Sequence, residues 1–103
     1  MELTGANVVI TGAGSGIGAA MARRFAAEGA TRLWLADIGE GVDAVADGVG
    51  AAAGGVRCDV SDEAAVRALV DQASADRPID LFCANAGVAT GQGSWLDQLN
   101  SLR

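Results

Sequence analysis

The sequence contains no histidine and no tyrosine, and its seven basic residues are all arginine, so lysine is missing too. Its two cysteines, Cys58 and Cys83, form no C-x-x-C pair. With no imidazole to join them, no metal site is expected. Aromatics make up 4% of the chain (Phe25, Phe82, Trp34 and Trp95), and Pro78 is the single proline. No apolar run approaches the roughly 20 residues of a membrane helix. Met1-Glu2-Leu3-Thr4-Gly5 lacks the basic and apolar regions of a signal peptide. A cytoplasmic protein without a membrane partner is expected. Thirteen acids against seven arginines leave a net charge of −6, which mainly aids solubility. The arginines are scattered, apart from Arg23 and Arg24. Nothing forms the basic stripe that would neutralise phosphates along a nucleic acid, so that partner is excluded.

What is present is small and apolar. Half of the 103 residues are hydrophobic and fifteen are glycine, as suits helices lying close on a sheet. The length is that of one domain or part of one, residues 1–103. Ala6 to Thr11 reads as a first strand, nearly all apolar, as in strands covered on both faces. A helix is expected from Ser15 to Glu28, with Ile17, Met21 and Phe25 as one stripe facing the sheet and Gly29 ending it. Thr31 to Asp37 is a second strand. A weaker helix carries Val42, Val45, Ala46 and Val49 on one face, and Gly41 and Gly48 each cost it roughly 1 kcal/mol. Gly54-Gly55 opens a third strand, Val56 to Val60. Ser61 is the expected cap of a helix that buries Val66, Leu69, Val70 and Ala73. A fourth strand runs from Ile79 to Ala84, then a loop rich in small residues to Ser94, and Trp95 to Arg103 begins a further helix.

Strand and helix alternate four times, which implies a parallel sheet with right-handed crossovers. In strand order 3-2-1-4, Cys58 and Cys83 fall three strand spacings apart. That is roughly 14 Å and beyond the reach of a disulfide, so two free thiols are expected.

Between the first strand and the first helix stands Thr11-Gly12-Ala13-Gly14-Ser15-Gly16-Ile17-Gly18. Glycines there remove Cβ atoms from the path of a ligand and permit positive φ in a tight turn. The helix behind it offers unpaired N–H groups and its positive dipole end, a ready site for a pyrophosphate. The pattern is T-G-x-x-x-G-x-G. It is not the G-x-G-x-x-G fingerprint, since Ile17 holds the third glycine's place. The fold class is therefore α/β, a Rossmann-type doubly wound parallel sheet. Its first four strands are present with their flanking helices, and the sheet is incomplete. Asp37 closes the second strand nineteen residues after Gly18. A carboxylate there accepts hydrogen bonds from both adenosine ribose hydroxyls and repels a 2′-phosphate. Neither Ser15 nor Ile38 offers a cation that would favour that phosphate. The expected cofactor is NAD; the competing role for Asp37 is to cap the next helix.

With these motifs in order, the chain resembles the short-chain dehydrogenase/reductase family over roughly Leu3 to Gly93. The family's N-terminal half carries T-G-x-x-x-G-I-G, an acid after the second strand, a D-V pair and N-N-A-G. Here these are Thr11 to Gly18, Asp37, Asp59-Val60 and Ala84-Asn85-Ala86-Gly87, with Ala84 in place of the first asparagine. The resemblance implies that Asp59 bonds the adenine amino group and that the Val60 backbone meets the ring. It also implies that Asn85, Ala86 and Gly87 line the adenosine ribose. Asp59 as a helix-capping acid and Asn85 as a structural turn residue remain open. The candidate cofactor-binding set is Gly12, Ser15, Gly16, Ile17, Gly18, Asp37, Asp59, Val60, Asn85, Ala86 and Gly87.

The family's chemistry belongs to a serine and to a Y-x-x-x-K pair, in which the tyrosine exchanges the proton. With no tyrosine or lysine here, that pair cannot be assembled, and no catalytic residue is assigned. Ser94 and Ser101 lie too near Asn85 to be the family serine, and Trp95 and Asn100 only faintly echo a later tryptophan–asparagine pair. The expected function is the N-terminal, cofactor-binding part of an NAD-dependent oxidoreductase moving hydride between nicotinamide and a secondary alcohol or ketone. Alone, the chain is expected to be inactive. The alternative is a non-catalytic nucleotide-binding or interaction protein. A third reading is self-association through the apolar edge Leu81-Phe82-Cys83-Ala84.

Overall fold

Asn7–Thr11 is a run of five residues without an exposed side chain, and it forms β1, the inner strand on which the rest is laid. A computed structural model of the chain describes residues 3–14 and 16–85. The elements follow as α1 (Gly16–Ala27), β2 (Arg32–Asp37), α2 (Gly41–Val49), β3 (Ala53–Arg57), α3 (Glu63–Ala73) and β4 (Leu81–Ala84). The four strands make one parallel sheet in the order β3-β2-β1-β4, as the alternating pattern requires. The expected helix from Trp95 to Arg103 lies outside the described residues.

Successive residues of β1 and β2 serve opposite faces of the sheet. Val8, Ile10, Leu33 and Leu35 pack with Ala19 and Ala22 of α1 and with Val42, Val45 and Ala46 of α2. Val9 and Ala36 pack with Cys58 and with Leu69 and Ala73 of α3, flanked by Trp34, Val66 and Ile79. Leu81 and Cys83 of β4 lean on the first cluster, whereas Phe82 stays 38% exposed. Among the described residues β4 pairs only with β1, with Val8 opposite Leu81 and Thr11 opposite Ala84.

Three details differ from what periodicity and capping rules suggest. Ile17, expected to face the sheet, is 66% exposed. The buried face of α1 is Gly18, Ala19 and Ala22, because the helix starts so close to β1 that only small residues fit beneath it. Met21 and Phe25, farther along, do pack against the core. The third strand is Ala53–Arg57 rather than 56–60. Its register pairs Leu33 with Ala53 and Asp37 with Arg57, so the glycines lie inside the strand and Asp59 and Val60 lie beyond it. A Cβ at Gly55 would stand 2.6 Å from Asp43 Oδ1 and 3.4 Å from the Val42 carbonyl, so that glycine lies close beneath the first turn of α2. Finally, Asp62 rather than Ser61 caps α3, accepting from the Ala64 and Ala65 amides at 3.0 and 3.4 Å. The helix starts at Glu63, which puts position 62 at the cap, and the Ser61 hydroxyl is taken up by Asp59 Oδ1 at 2.6 Å.

Both cysteines are free, as expected. Burial raises the pKa of Cys58, reinforced by the charges of Asp59 and Asp62, and burial alone raises that of Cys83. Both are held as thiols at neutral pH and make poor nucleophiles.

One polar side chain ties the layers together. Asn7 is 1% exposed within an otherwise apolar strand. Its Nδ2 donates to the carbonyls of Ala73, Pro78 and Arg77 at 2.9, 3.2 and 3.3 Å, and its Oδ1 accepts from Trp34 Nε1 at 2.8 Å. The Asn7 backbone also exchanges hydrogen bonds with Asp80, which sets β4 beside β1. Asn7→Ala orphans the indole N–H and the end of α3. Urea unfolding should show a loss of about 2–3 kcal/mol; a variant as stable as the parent would show that the network contributes nothing.

Candidate nucleotide site at the glycine turn

β1 ends at Thr11 and α1 begins at Gly16, so the chain must reverse within a few residues. It does so through left-handed backbone at Gly12 (φ 68°) and Gly16 (φ 59°), a region that L side chains rarely enter. Gly18 is needed for space instead. A Cβ there would collide with the Gly12 carbonyl oxygen and stand 2.9 Å from Ala13 Cα. The start of α1 therefore rests directly on the turn. No acidic residue lies in its first turn, so no carboxylate there competes for its unpaired amides and positive dipole end. Among the described residues a Cβ at Gly16 would meet nothing within 4 Å, so none of them closes that side of the turn.

Asp37 ends β2 and is half-buried beside this turn. Its Oδ2 accepts from the Gly14 amide at 2.8 Å and its Oδ1 from the Gly39 amide at 3.2 Å. A carboxylate has about four lone-pair sites, and these two bonds leave roughly two for outside donors. Asp37 caps no helix: Glu40 occupies the start of α2, without a side-chain cap bond.

At the end of β4, Thr11 Oγ1 accepts from the Asn85 amide at 3.0 Å and donates to the Cys83 carbonyl at 3.4 Å. Asn85 Nδ2 reaches the Gly12 carbonyl at 3.5 Å. Asn85 is thus fastened to the turn. Beyond β3, Asp59 Oδ1 accepts from the Ser61 hydroxyl at 2.6 Å and the Ser61 amide at 2.9 Å. The hydroxyl bond first, then the amide, lowers the Asp59 pKa, so it stays a carboxylate acceptor at physiological pH.

Gly12, Gly16, Gly18, Asp37 and Asn85 are brought together around the turn, with Asp59 and Val60 following the neighbouring strand β3. Ser15, Ala86 and Gly87, like Ser94, Trp95, Asn100 and Ser101, lie outside the described residues. Of the four large exposed apolar side chains among the described residues, three follow strand ends: Ile17 after β1, Ile38 after β2 and Val60 after β3. The fourth is Phe82. Exposed apolar groups at the carboxyl ends of parallel strands are where an open α/β sheet receives a flat ligand. Ile38 is absent from the sequence-derived set; its position directly after the acid was the available signal. Gly14 and Gly41 are absent as well. A Cβ at Gly14 would stand 2.6 Å from Asp37 Oδ2, and one at Gly41 would stand 3.0 Å from the Gly14 carbonyl. A glycine needed for one specific contact leaves no periodic trace.

Comparison with known proteins assigns the chain to a family. A family model described as short chain dehydrogenase matches residues 6–101. The chain is 48% identical over 85 residues to cis-4-hydroxycyclohexanecarboxylate dehydrogenase of Sinomonas cyclohexanicum, covering 79% of this chain and 34% of that protein. It is 42% identical over 93 residues to D-threitol dehydrogenase of Mycolicibacterium smegmatis, covering 85% and 35%. The chain thus spans about a third of the length of these curated relatives. Among solved structures, a short chain dehydrogenase/reductase of Burkholderia phymatum in complex with NAD superposes with a TM-score of 0.67. It is 45% identical and covers 71% of this chain and 27% of its own. The 3-ketoacyl-(acyl-carrier-protein) reductase of Brucella melitensis complexed with NADH gives 0.72 at 41% identity, covering 78% and 34%. A family model over residues 6–101, relatives above 40% identity and a parallel sheet in the order β3-β2-β1-β4 that superposes on solved members agree on one assignment: the chain belongs to the short chain dehydrogenase family of oxidoreductases.

Proposed function

We propose that residues 1–103 form the NAD-binding part of a short chain dehydrogenase. The observation that carries this reading is the Asp37 carboxylate, held 2.8 Å from the Gly14 amide at the rim of the glycine turn. A pyrophosphate fits the open side of the turn, where the Gly16 and Ile17 amides belong to the unpaired first turn of α1. The two spare lone-pair sites of Asp37 equal in number the two hydroxyls of an adenosine ribose. Ile38 and Val60 supply apolar surface for adenine, and the Asp59 carboxylate can accept from its amino group. Asn85, fastened to Thr11 and Gly12, stands on the ribose side with Ala86 and Gly87 after it. Ser15, between Gly14 and Gly16 in the sequence, is uncharged and offers no cation to a 2′-phosphate.

When bound, NAD supplies hydride exchange between its nicotinamide and a secondary alcohol or ketone. Relatives named as dehydrogenases of a hydroxycyclohexanecarboxylate and of threitol support that substrate class. The chain's own share is to grip the diphosphate, choose the ribose and hold the nucleotide across the strand ends in the cytoplasm. The tyrosine–lysine pair that exchanges the proton in the family has no counterpart in this sequence, which contains neither residue. That lack also favours a second reading, a nucleotide-binding protein that performs no redox chemistry. The side of β4 that pairs with no strand among the described residues, with Phe82 exposed, is where the chain would associate with a second copy.

Calorimetry should show NAD bound and NADP bound at least about tenfold more weakly, with Asp37→Ala removing the difference. Equal affinity in the parent chain would take Asp37 out of that role. Incubation with NAD and any secondary alcohol should yield NADH no faster than the blank; turnover above it would mean that another residue moves the proton. Sedimentation should show mass rising with concentration, and a monomer at every concentration would argue against pairing through β4.

A further inference from the structure

Gly14 differs from Gly12 and Gly16. Its backbone φ is not positive, so no conformational rule demands glycine there. Its requirement is spatial and points at one partner. A Cβ built on it would stand 2.6 Å from Asp37 Oδ2, 3.1 Å from Asp37 Cγ and 3.3 Å from the Val42 backbone nitrogen. The first distance is one that real Cβ atoms do not show, and the Val42 backbone closes the way out. Within the same space Gly14 donates its amide to Oδ2 at 2.8 Å, while Gly39 donates to Oδ1 at 3.2 Å. The carboxylate is thus clamped between the glycine turn and the β2–α2 turn. Gly41 extends the contact, because a Cβ there would press on the Gly14 carbonyl at 3.0 Å.

We propose that Gly14 is a positioning residue for cofactor choice. Its bare Cα and its amide fix the Asp37 carboxylate where it accepts a 2′-hydroxyl and repels a 2′-phosphate. This rests on the NAD reading above and goes beyond it by locating half of the discrimination in a residue that carries no side chain. Even the methyl group of alanine displaces Oδ2 and lengthens the amide bond. The displaced carboxylate loses its reach to the ribose and stands away from the place a 2′-phosphate would take. A merely structural glycine would weaken both nucleotides alike; a positioning glycine changes their ratio.

The test is titration of NADH and NADPH into the 103-residue chain, G14A, D37A and the double variant. A hydrogen bond to a charged group is strong enough that G14A should reduce the NADH-to-NADPH affinity ratio about tenfold or more. In the D37A background the same substitution should change the ratio by less than about twofold. A parent that prefers NADH and a folded G14A with the same ratio would overturn the positioning role while leaving the NAD reading intact. A parent that binds neither nucleotide, or both equally, would remove that reading and this proposal with it. If G14A does not fold, amide exchange in the unaltered chain decides the matter. The Gly14 proton should exchange about tenfold more slowly than in D37A, and equally slowly with NADH bound. Equal exchange in the two proteins, or protection lost on adding NADH, would overturn the proposal.

Discussion

The first turn of α1 lies against the carbonyl of Gly12, in a gap that admits no Cβ at position 18. That contact governs much else. It brings the unpaired amides of α1 to the carboxyl end of β1, which is the electrostatic basis of an anion site. It also dictates which residues lie beneath the helix. Where backbones approach this closely only Gly18, Ala19 and Ala22 fit, and Ile17 is turned out to the rim. Apolar surface that might have been core becomes surface beside the candidate ligand.

The same economy of side chains recurs on α2. Gly41 lies on the Gly14 carbonyl, and Gly55 lies under the first turn of α2. Each lets one turn or helix rest on another, and together they place Asp37 between two backbone donors. On the other face, where α3 packs, polar groups do the fastening. Asn7 joins β1 to Trp34, to the end of α3 and to the segment leading into β4. At the opposite end of β4, Thr11 and Asn85 fasten the strand to the turn. The glycine face thus carries the proposed nucleotide site, and the buried amide network keeps the strands beneath it in register.

Much of this was legible in the residues. Four apolar runs separated by helical patterns are enough for the strand order, since parallel crossovers admit few alternatives. Val42, Val45 and Ala46 are buried as their spacing implies. What escaped was whatever depends on a partner distant in sequence. The bounds of β3 follow from its register with β2, so its glycines sit inside the strand and not before it. The face of α1 follows from closeness to β1, which a count of apolar residues cannot measure. Asp62 and Ser61 are both sound caps, and only the path of the chain after Asp59 chooses between them. Gly14 has no signature at all, since its reason is an oxygen atom twenty-three residues away.

The most direct test of the central claim, that the bend after β1 grips a diphosphate while Asp37 holds the adjoining sugar, is a crystal structure of the chain grown with NAD. Density for the diphosphate against the amides of Gly16 and Ile17, with ribose oxygens within hydrogen-bonding distance of both Asp37 oxygens, is the predicted result. A nucleotide bound elsewhere on the sheet, or a bend closed over by its own side chains with Asp37 turned away, would contradict it.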